Sequence, residues 1–593
     1  MRSTAYILLM LFAFQHMQAQ TESTKLADTL MVQKDTIVPF VDTVHTKAFF
    51  VTGGIGITYE GYGLNVKPGG SGIFSPRAPW NQARLNLNPV FNFGDWLSIP
   101  VNINISLTPT NFTGPWAGFK QNGVKQTFLQ WLTNPSNNIG ISPHFKWGDI
   151  LLGTQYIKYS DLSTGDIGLF GAGFAIHPKN YIVKFFTGAS QQGINYLPPN
   201  IDGSYLRNHW MMQIGKEKEG KYLIAFNLSK GQDKISSITS FPTTTMPQEG
   251  FVYSILGEGY FKKGWFIKGE GANSIFTRDL NQPTYGGSFR PFITGKTSTV
   301  KDYALNFEVG KRSTNFDIAY ATKYIGSGFQ TTGYPYMQTD FWDNTINTRF
   351  NAWKNKMNVV ASTGIRTNNI SNVSVQSQQF IANLNWFTQF NDKFSVNVNY
   401  NNLSFTSASG LNPFGIKNVS NDMGITPVYT WSTKKMVNIL SLNYSYSKYK
   451  ERDVLTGLTT PNKTHTALLT YVPTFINSSI SPDFSAMYFY NQDTAMNNTL
   501  FTLSGGVSFP LLKKKMQFKS SLQYTWGKIN AYTPNNNLLA SISLDYKISK
   551  KLIWNNYFSS NYFKYGDELS PPVALVGANY LESKYRTGFK YNF

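Results

Sequence analysis

YRTGFKYNF, residues 585–593, carries the reading of the whole chain. Taken as a strand, it puts Tyr585, Thr587, Phe589, Tyr591 and Phe593 on one face and Arg586, Gly588, Lys590 and Asn592 on the other, because successive side chains of a strand alternate. Rings on one side and cations on the other suit a strand with one face in an apolar medium and the other in water. A soluble sheet supplies the apolar medium as a packed core, whereas a membrane barrel supplies it as lipid around a wet lumen.

Composition separates the two. Aromatic residues make up 16% of the 593, with 45 Phe, 34 Tyr and 13 Trp, while charged residues make up only 14%. Soluble domains carry about a quarter of charged residues, so an ordinary charged surface is excluded. No later segment offers a long enough apolar run for a transmembrane helix. The mean hydropathy of −0.26 is no obstacle to a membrane location, since every second residue of a transmembrane strand faces the lumen.

From residue 47 onward the period of two recurs. Tyr222, Ile224, Phe226 and Leu228 alternate with Leu223, Ala225, Asn227 and Ser229; Tyr303, Leu305, Phe307 and Val309 alternate with Ala304, Asn306, Glu308 and Gly310. The same beat runs through Phe394–Asn401 and Leu440–Tyr446. The segments are roughly 10 to 14 residues long, more than the usual soluble strand and enough to cross a bilayer. Short links such as 217–221, 262–264, 354–356, 391–393 and 549–551 take turns with long polar ones such as 61–82, 109–139, 190–205, 232–249, 276–299, 325–340, 406–422 and 565–579. Short periplasmic turns against long outer loops are the signature of an outer-membrane barrel. With both termini in the periplasm, the phasing predicts about 26 strands (range about 22 to 26), about 12 turns and about 13 outer loops. The weakest strand assignments fall at 140–176 and 423–432. Closure of the barrel satisfies every backbone N–H and C=O, which an open sheet in lipid cannot do.

The N-terminus, MRSTAYILLMLFAFQHMQAQ, has one Arg before a short apolar run and a small residue at Ala19, the layout of a secretory signal over 1–19. With no cysteine, disulfides cannot staple the fold. Residues 20–46 are polar and marked by Asp-Thr at Asp28, Asp35 and Asp42. Fragments such as DTLMV resemble the energy-coupling box of TonB-dependent transporters, but strand-like sequence begins at Phe49 with no plug domain between, so 20–46 reads as a flexible periplasmic leader. The barrel is expected over 47–593.

The terminal strand, with Phe589, Tyr591 and Phe593, resembles the insertion signal of bacterial outer-membrane proteins, which implies the barrel-assembly machinery as a biogenesis partner. The chain as a whole resembles the large plugless outer-membrane barrels of the Bacteroidota, with their Gln-rich signal end, Asp-Thr leader and Asn- and Tyr-rich strands. That resemblance implies architecture and location, with outer-membrane lipid, lipopolysaccharide included, and other outer-membrane proteins as partners. It implies no activity.

The formal charge is +21. Some of the cations sit at turns, where Lys can meet lipid phosphates. On the assumed phase Arg349, Arg366, Lys519, Lys547, Lys584, Arg586 and Lys590 face inward, a cationic wall that would favour anions. Nucleic acid is not expected as a partner, because the basic residues are dispersed and accompany no recognition motif. Histidines at 45, 144, 177, 209 and 465 form no metal pair or HExxH arrangement, and no cofactor is expected. A membrane hydrolase would need Ser or Asp beside a His near the rim; His209 and His465 begin strands, but girdle polarity explains them equally, and no enzyme is expected. Gly165, Gly168, Gly171 and Gly173 predict a strong bend or a docking place for an internal element. The stretch 110–138, with Trp116, Phe128, Trp131 and Leu132, has the one helix-like spacing and predicts a constriction in the lumen, a partner contact or a helix on the rim.

A ring of this size without a plug would leak. Long loops, a curled-in wall or partners must close it. The first expectation is a pore or translocon-type component for large or anionic cargo. The alternative is a non-transporting scaffold in a secretion or assembly complex of the outer membrane.

Overall fold

The computed structural model describes residues 48–66, 78, 80–106, 120–121, 124–125, 137–165, 167–196, 203–241, 245–285, 292–372, 376–406, 416–453, 459–493, 496–530, 534–566 and 579–593. The expected signal over 1–19, the expected leader over 20–46 and the segment with Trp116, Phe128, Trp131 and Leu132 lie outside the described residues.

Twenty-nine hydrogen-bonded segments form one antiparallel sheet. Three pairs of them are consecutive pieces of one interrupted strand: Phe50–Thr52 with Gly54–Val66, Asn81–Leu87 with Val90–Phe93, and Asn138–Ile141 with His144–Phe145. That leaves a closed barrel of 26 strands, the number expected from the phasing. The terminal strand Tyr580–Asn592 closes it against Gly54–Val66, in unbroken register from Gly54 opposite Asn592 to Val66 opposite Tyr580. Every other neighbour is also next in sequence, so each strand needs only a hairpin connection.

The interruptions in the first strands line up across the wall. Asn88 donates its N–H to Gly54 O (2.9 Å), Val101 to Pro89 O (2.9 Å), Ser142 to Pro100 O (3.1 Å) and Ile150 to Pro143 O (2.9 Å). Pro89, Pro100 and Pro143 have no N–H to give, so the ladder is rerouted at one level across adjacent strands. This crease explains why 140–176 lacked a smooth rhythm. The stretch 423–432 belongs to a 17-residue strand, Ile416–Ser432, whose ladder skips beside Pro427 and resumes in the same register. The outer loop expected at 406–422 is therefore shorter, because Phe394–Thr406 and Ile416–Ser432 pair to their ends.

The faces sort as the terminal strand predicts. Tyr585, Phe589, Tyr591 and Phe593 are exposed on the outside, as are Ile55, Ile57 and Tyr59 on the neighbouring strand. The same outward exposure of Ile224, Phe226, Ile255, Leu305, Ile346, Leu442, Leu469 and Ile542 continues around the wall. So much apolar area in contact with water is untenable for a soluble monomer, and lipid removes the cost. Rings cluster at the turn side: Trp431 stacks on Tyr471 (6.1 Å), Trp554 on Phe589 (6.1 Å), and Tyr591 meets Phe593 edge-on (5.6 Å). They form one aromatic girdle of the kind that marks a membrane interface.

Candidate functional site

Residues directly opposite on neighbouring strands share a face, so the register defines rows around the lumen. One such row runs Gln213, Asn227, Ser254, Ala272, Ala304, Ile325, Phe341, Asn368. All eight point inward, and all are buried. In an open tube they would be wet. They are dry because two connections fold back over them: 158–165, between the strands Gly148–Ile157 and Ile167–Ile176, and 326–340, between Phe316–Ile325 and Phe341–Ala352.

The row is built as a seat. Ala272 and Ala304 leave a shallow trough in which Leu162 and Phe329, each 0% exposed, pack with Val252, Ile325 and Phe341. Each large side chain contributes roughly 1.5–3 kcal/mol through burial. Backbone groups are met individually, as any buried polar group requires. Leu162 donates its N–H to Glu270 Oε2 (3.2 Å), Gly328 to Asp302 Oδ2 (2.7 Å) and Gln330 to Ser274 Oγ (3.3 Å). From the wall, Gln213 Nε2 donates to Tyr159 O (3.0 Å) and to Asn227 Oδ1 (2.8 Å), and Asn227 Nδ2 donates to Ser254 Oγ (3.0 Å). The two segments also hold each other: Gly165 N–H donates to Gly333 O (2.9 Å), and Thr331 Oγ1 to Ser163 O (3.1 Å). Burial pushes the Tyr159 phenol well above its usual range, so it stays neutral. Beyond the seat the chain turns outward again at Tyr334-Pro335-Tyr336, and Tyr336 is 92% exposed.

The four glycines divide by role. Gly165 lies where the 326–340 segment packs; a Cβ there would come within 2.8 Å of the Tyr334 ring. Gly168 sits against the Tyr156 ring, and a Cβ at Gly171 or Gly173 would strike the backbone of the adjacent strand Tyr181–Gln191. Neighbouring strands approach too closely at these two positions for any other residue.

Cations on the inner face are of two kinds. Arg366 holds Asp343 by two bonds of 2.6 Å and lies 4.7 Å over the Phe341 ring. Arg349 pairs with Asp317 (2.8 Å), Arg586 with Glu60 (3.2 Å) and Lys584 with Glu582 (3.8 Å). Arg349 and Arg366 do lie on adjacent strands, but each faces its own carboxylate. Lys519, Lys547 and Lys590 form no ion pair among the described residues. Lys547 and Lys590 share a row, both opposite Ile553. The inner face of the strands from Ser377 onward is polar, with Asn383, Asn385, Asn443, Ser521 and Asn555 exposed to the lumen. Cross-strand bonds such as Thr502 to Thr525 (3.0 Å) and Ser521 to Ser541 (2.7 Å) hold its hydroxyls in place.

Among the described residues no group of His, Cys, Asp and Glu is placed to hold a metal. A bulge at Ser190 brings its Oγ within 2.9 Å of His209 Nε2, a Ser–His pair near the rim. His209 is buried, and its Nδ1 meets no acid, so the third member of a catalytic triad is missing. His465 faces outward, its Nδ1 2.9 Å from the Tyr444 hydroxyl. The seat residues Leu162, Glu270, Asp302 and Phe329 were missed in the sequence. Two acids at inward positions, Glu270 in GEGANS and Asp302 in KDYALN, were the signal available.

No protein-family model matches the chain, and no curated protein matches it. Solved structures do match. The chain is similar to a ferric enterobactin receptor (PfeA) from Pseudomonas aeruginosa, at 9% identity over 91% of this chain and 80% of that one, TM-score 0.41. It is similar to the siderophore receptor PirA from Acinetobacter baumannii, at 9% identity over 93% and 81%, TM-score 0.34. It is also similar to a bacterial polysaccharide outer membrane secretin, at 12% identity over 50% and 92%, TM-score 0.26. Superpositions this loose transfer no residue and no activity to this chain.

Proposed function

We propose that this barrel is an outer-membrane pore for hydrophilic, preferentially anionic cargo, with its lumen narrowed from one side by the seated segments 158–165 and 326–340. The observation that carries this reading is the split of the inner face: one side is covered by the seated segments, while the other presents exposed Asn and Ser, with Lys519, Lys547 and Lys590 in no ion pair among the described residues. Unpaired cations in a confined wet channel raise the local concentration of anions. On this reading the short turns lie in the periplasm and the long connections outside.

The test is conductance of the purified protein in planar bilayers under a salt gradient. Wild type should pass current with anion preference, and K519Q/K547Q/K590Q should move the reversal potential toward zero selectivity. An unchanged reversal potential sinks the anion reading. Electrical silence together with co-purifying partners would instead favour the scaffold reading, which the seated segments also support because they close part of the lumen.

A further inference from the structure

The outer side of the three longest strands, Ile416–Ser432, Met436–Asp453 and Thr459–Phe475, changes chemistry abruptly along its length. One outward row runs Tyr400, Met423, Tyr446, His465, Tyr490. The His465 ring lies 4.8 Å from that of Tyr446 and 6.3 Å from that of Tyr490. Rings bearing polar handles at one level mark the boundary between hydrocarbon and headgroups. The next row toward the outer loops runs Asn402, Asn421, Lys448, Lys463, Gln492.

Within that row Lys448 and Lys463 are directly opposite each other on adjacent strands. Like charges in that position repel. Neither lysine forms an ion pair among the described residues. Lys450 follows on the same face, opposite Val419 and Pro461, and the ladder then sets Lys417 opposite Arg452. Elsewhere on the outer wall the same problem is solved internally: Lys230 pairs with Glu249 at 2.9 Å, beside the packed cluster of Phe251, Phe292 and Ile293. Among the described residues the Lys448–Lys463 pair meets no such carboxylate, which leaves room for an anion from outside the protein. One residue row beyond the hydrocarbon boundary, the anion at hand is a lipid phosphate.

We propose that Lys448 and Lys463, with Lys450 beside them, bind the phosphate of an outer-leaflet glycolipid of the lipopolysaccharide class, whose acyl chains lie along the rings of Tyr446, His465 and Tyr490. The chemistry is that of a phosphate monoester between two ammonium groups, each a point charge on a flexible stem. A free phosphate ion could satisfy the same charges, but it would have no use for the rings beneath them.

The test uses the full-length protein in detergent, with binding read by native mass spectrometry and by protection against heat unfolding on gels. The probes are bis-phosphorylated lipid A, the same lipid with its phosphates removed, and inorganic phosphate. Wild type should bind the phosphorylated lipid roughly tenfold more tightly than K448Q/K463Q does, and the dephosphorylated lipid should not distinguish them. K448R/K463R should keep the preference. Equal binding of phosphorylated lipid by wild type and K448Q/K463Q would overturn the site, and equal protection of wild type by inorganic phosphate would overturn the lipid assignment. Should the double variant fail to insert, K463Q alone and the comparison of the two lipids on wild type decide the matter in the same way.

Discussion

The strands from Gly148 to Asn368 and those from Ser377 to Asn592 build their inner faces by the same period of two, yet the first set buries the row from Gln213 to Asn368, whereas the second leaves Asn383, Asn443 and Ser521 wet. The difference lies in side-chain size and charge pairing. On the first side small residues, Ser254, Ala272 and Ala304, open a trough, and Glu270 and Asp302 wait in it as acceptors for backbone N–H groups. On the second side Ser and Thr pairs such as Ser485–Ser504, Thr502–Thr525 and Ser521–Ser541 bond to each other across strands, and no trough of small residues like that at Ala272 and Ala304 is seen among the described residues. The contrast shows how one alternating pattern yields both a seat and a channel wall.

The strongest way to break that contrast is to empty the seat. Replacing 327–338 by a short Gly-Ser linker should widen the passage and raise single-channel conductance roughly twofold or more, since a pore's conductance follows its narrowest section. No change in conductance would show that the segment does not narrow the path and that the two sides are functionally alike.

A smaller perturbation leaves the segment in place and loosens its hold. Asp302→Ala strips the acceptor from the buried Gly328 N–H and should cost about 1–3 kcal/mol of seating free energy. Each 1.4 kcal/mol is about tenfold in the unseated fraction, to be read as flicker in single-channel records or as faster protease cutting near Tyr336. Glu270→Gln should be far milder than Glu270→Leu, because an amide oxygen still accepts the Leu162 N–H. Equal effects from the two would mean that Glu270 acts through its charge and not as an acceptor.

Much of this architecture was legible because the medium on each side of the wall imposes period two on almost every strand. Strand number, closing strand and lipid face all follow from that beat. It fails where proline reroutes the ladder, at Pro89, Pro100, Pro143 and Pro427, since a crease or skip hides the alternation without ending the strand. The seat was not legible, because an inward Ala or Ser reads the same whether water or Phe329 lies above it. Inward cations could be assigned from phase, but their partners could not: Asp343 opposite Arg366, and Asp317 opposite Arg349, are matches of register between strands that sequence spacing does not reveal. Gly165 lies against the Tyr334 ring of a loop far away in sequence, a neighbour that spacing along the chain does not reveal.

The smallest expected effect separates balanced from unbalanced cations on the same inner face. Arg349 sits 2.8 Å from Asp317, so the pair presents little net charge to a passing ion, and an ion feels the sum of both fields once it is farther away than their separation. Arg349→Gln leaves Asp317 uncompensated, and Asp317→Asn leaves Arg349 uncompensated; the two should shift the reversal potential by similar small amounts in opposite directions, toward cations and toward anions respectively. The double variant R349Q/D317N should return to the wild-type value, because it removes a charge of each sign. By the same reasoning K519Q, with no partner to unmask, should shift selectivity in one direction only, and a second substitution at Asp317 should add to that shift independently. If R349Q/D317N departs from wild type as far as either single variant does, the pair is not balanced as ions pass it, and the division of the inner face into a neutralised and a cationic side fails at this point.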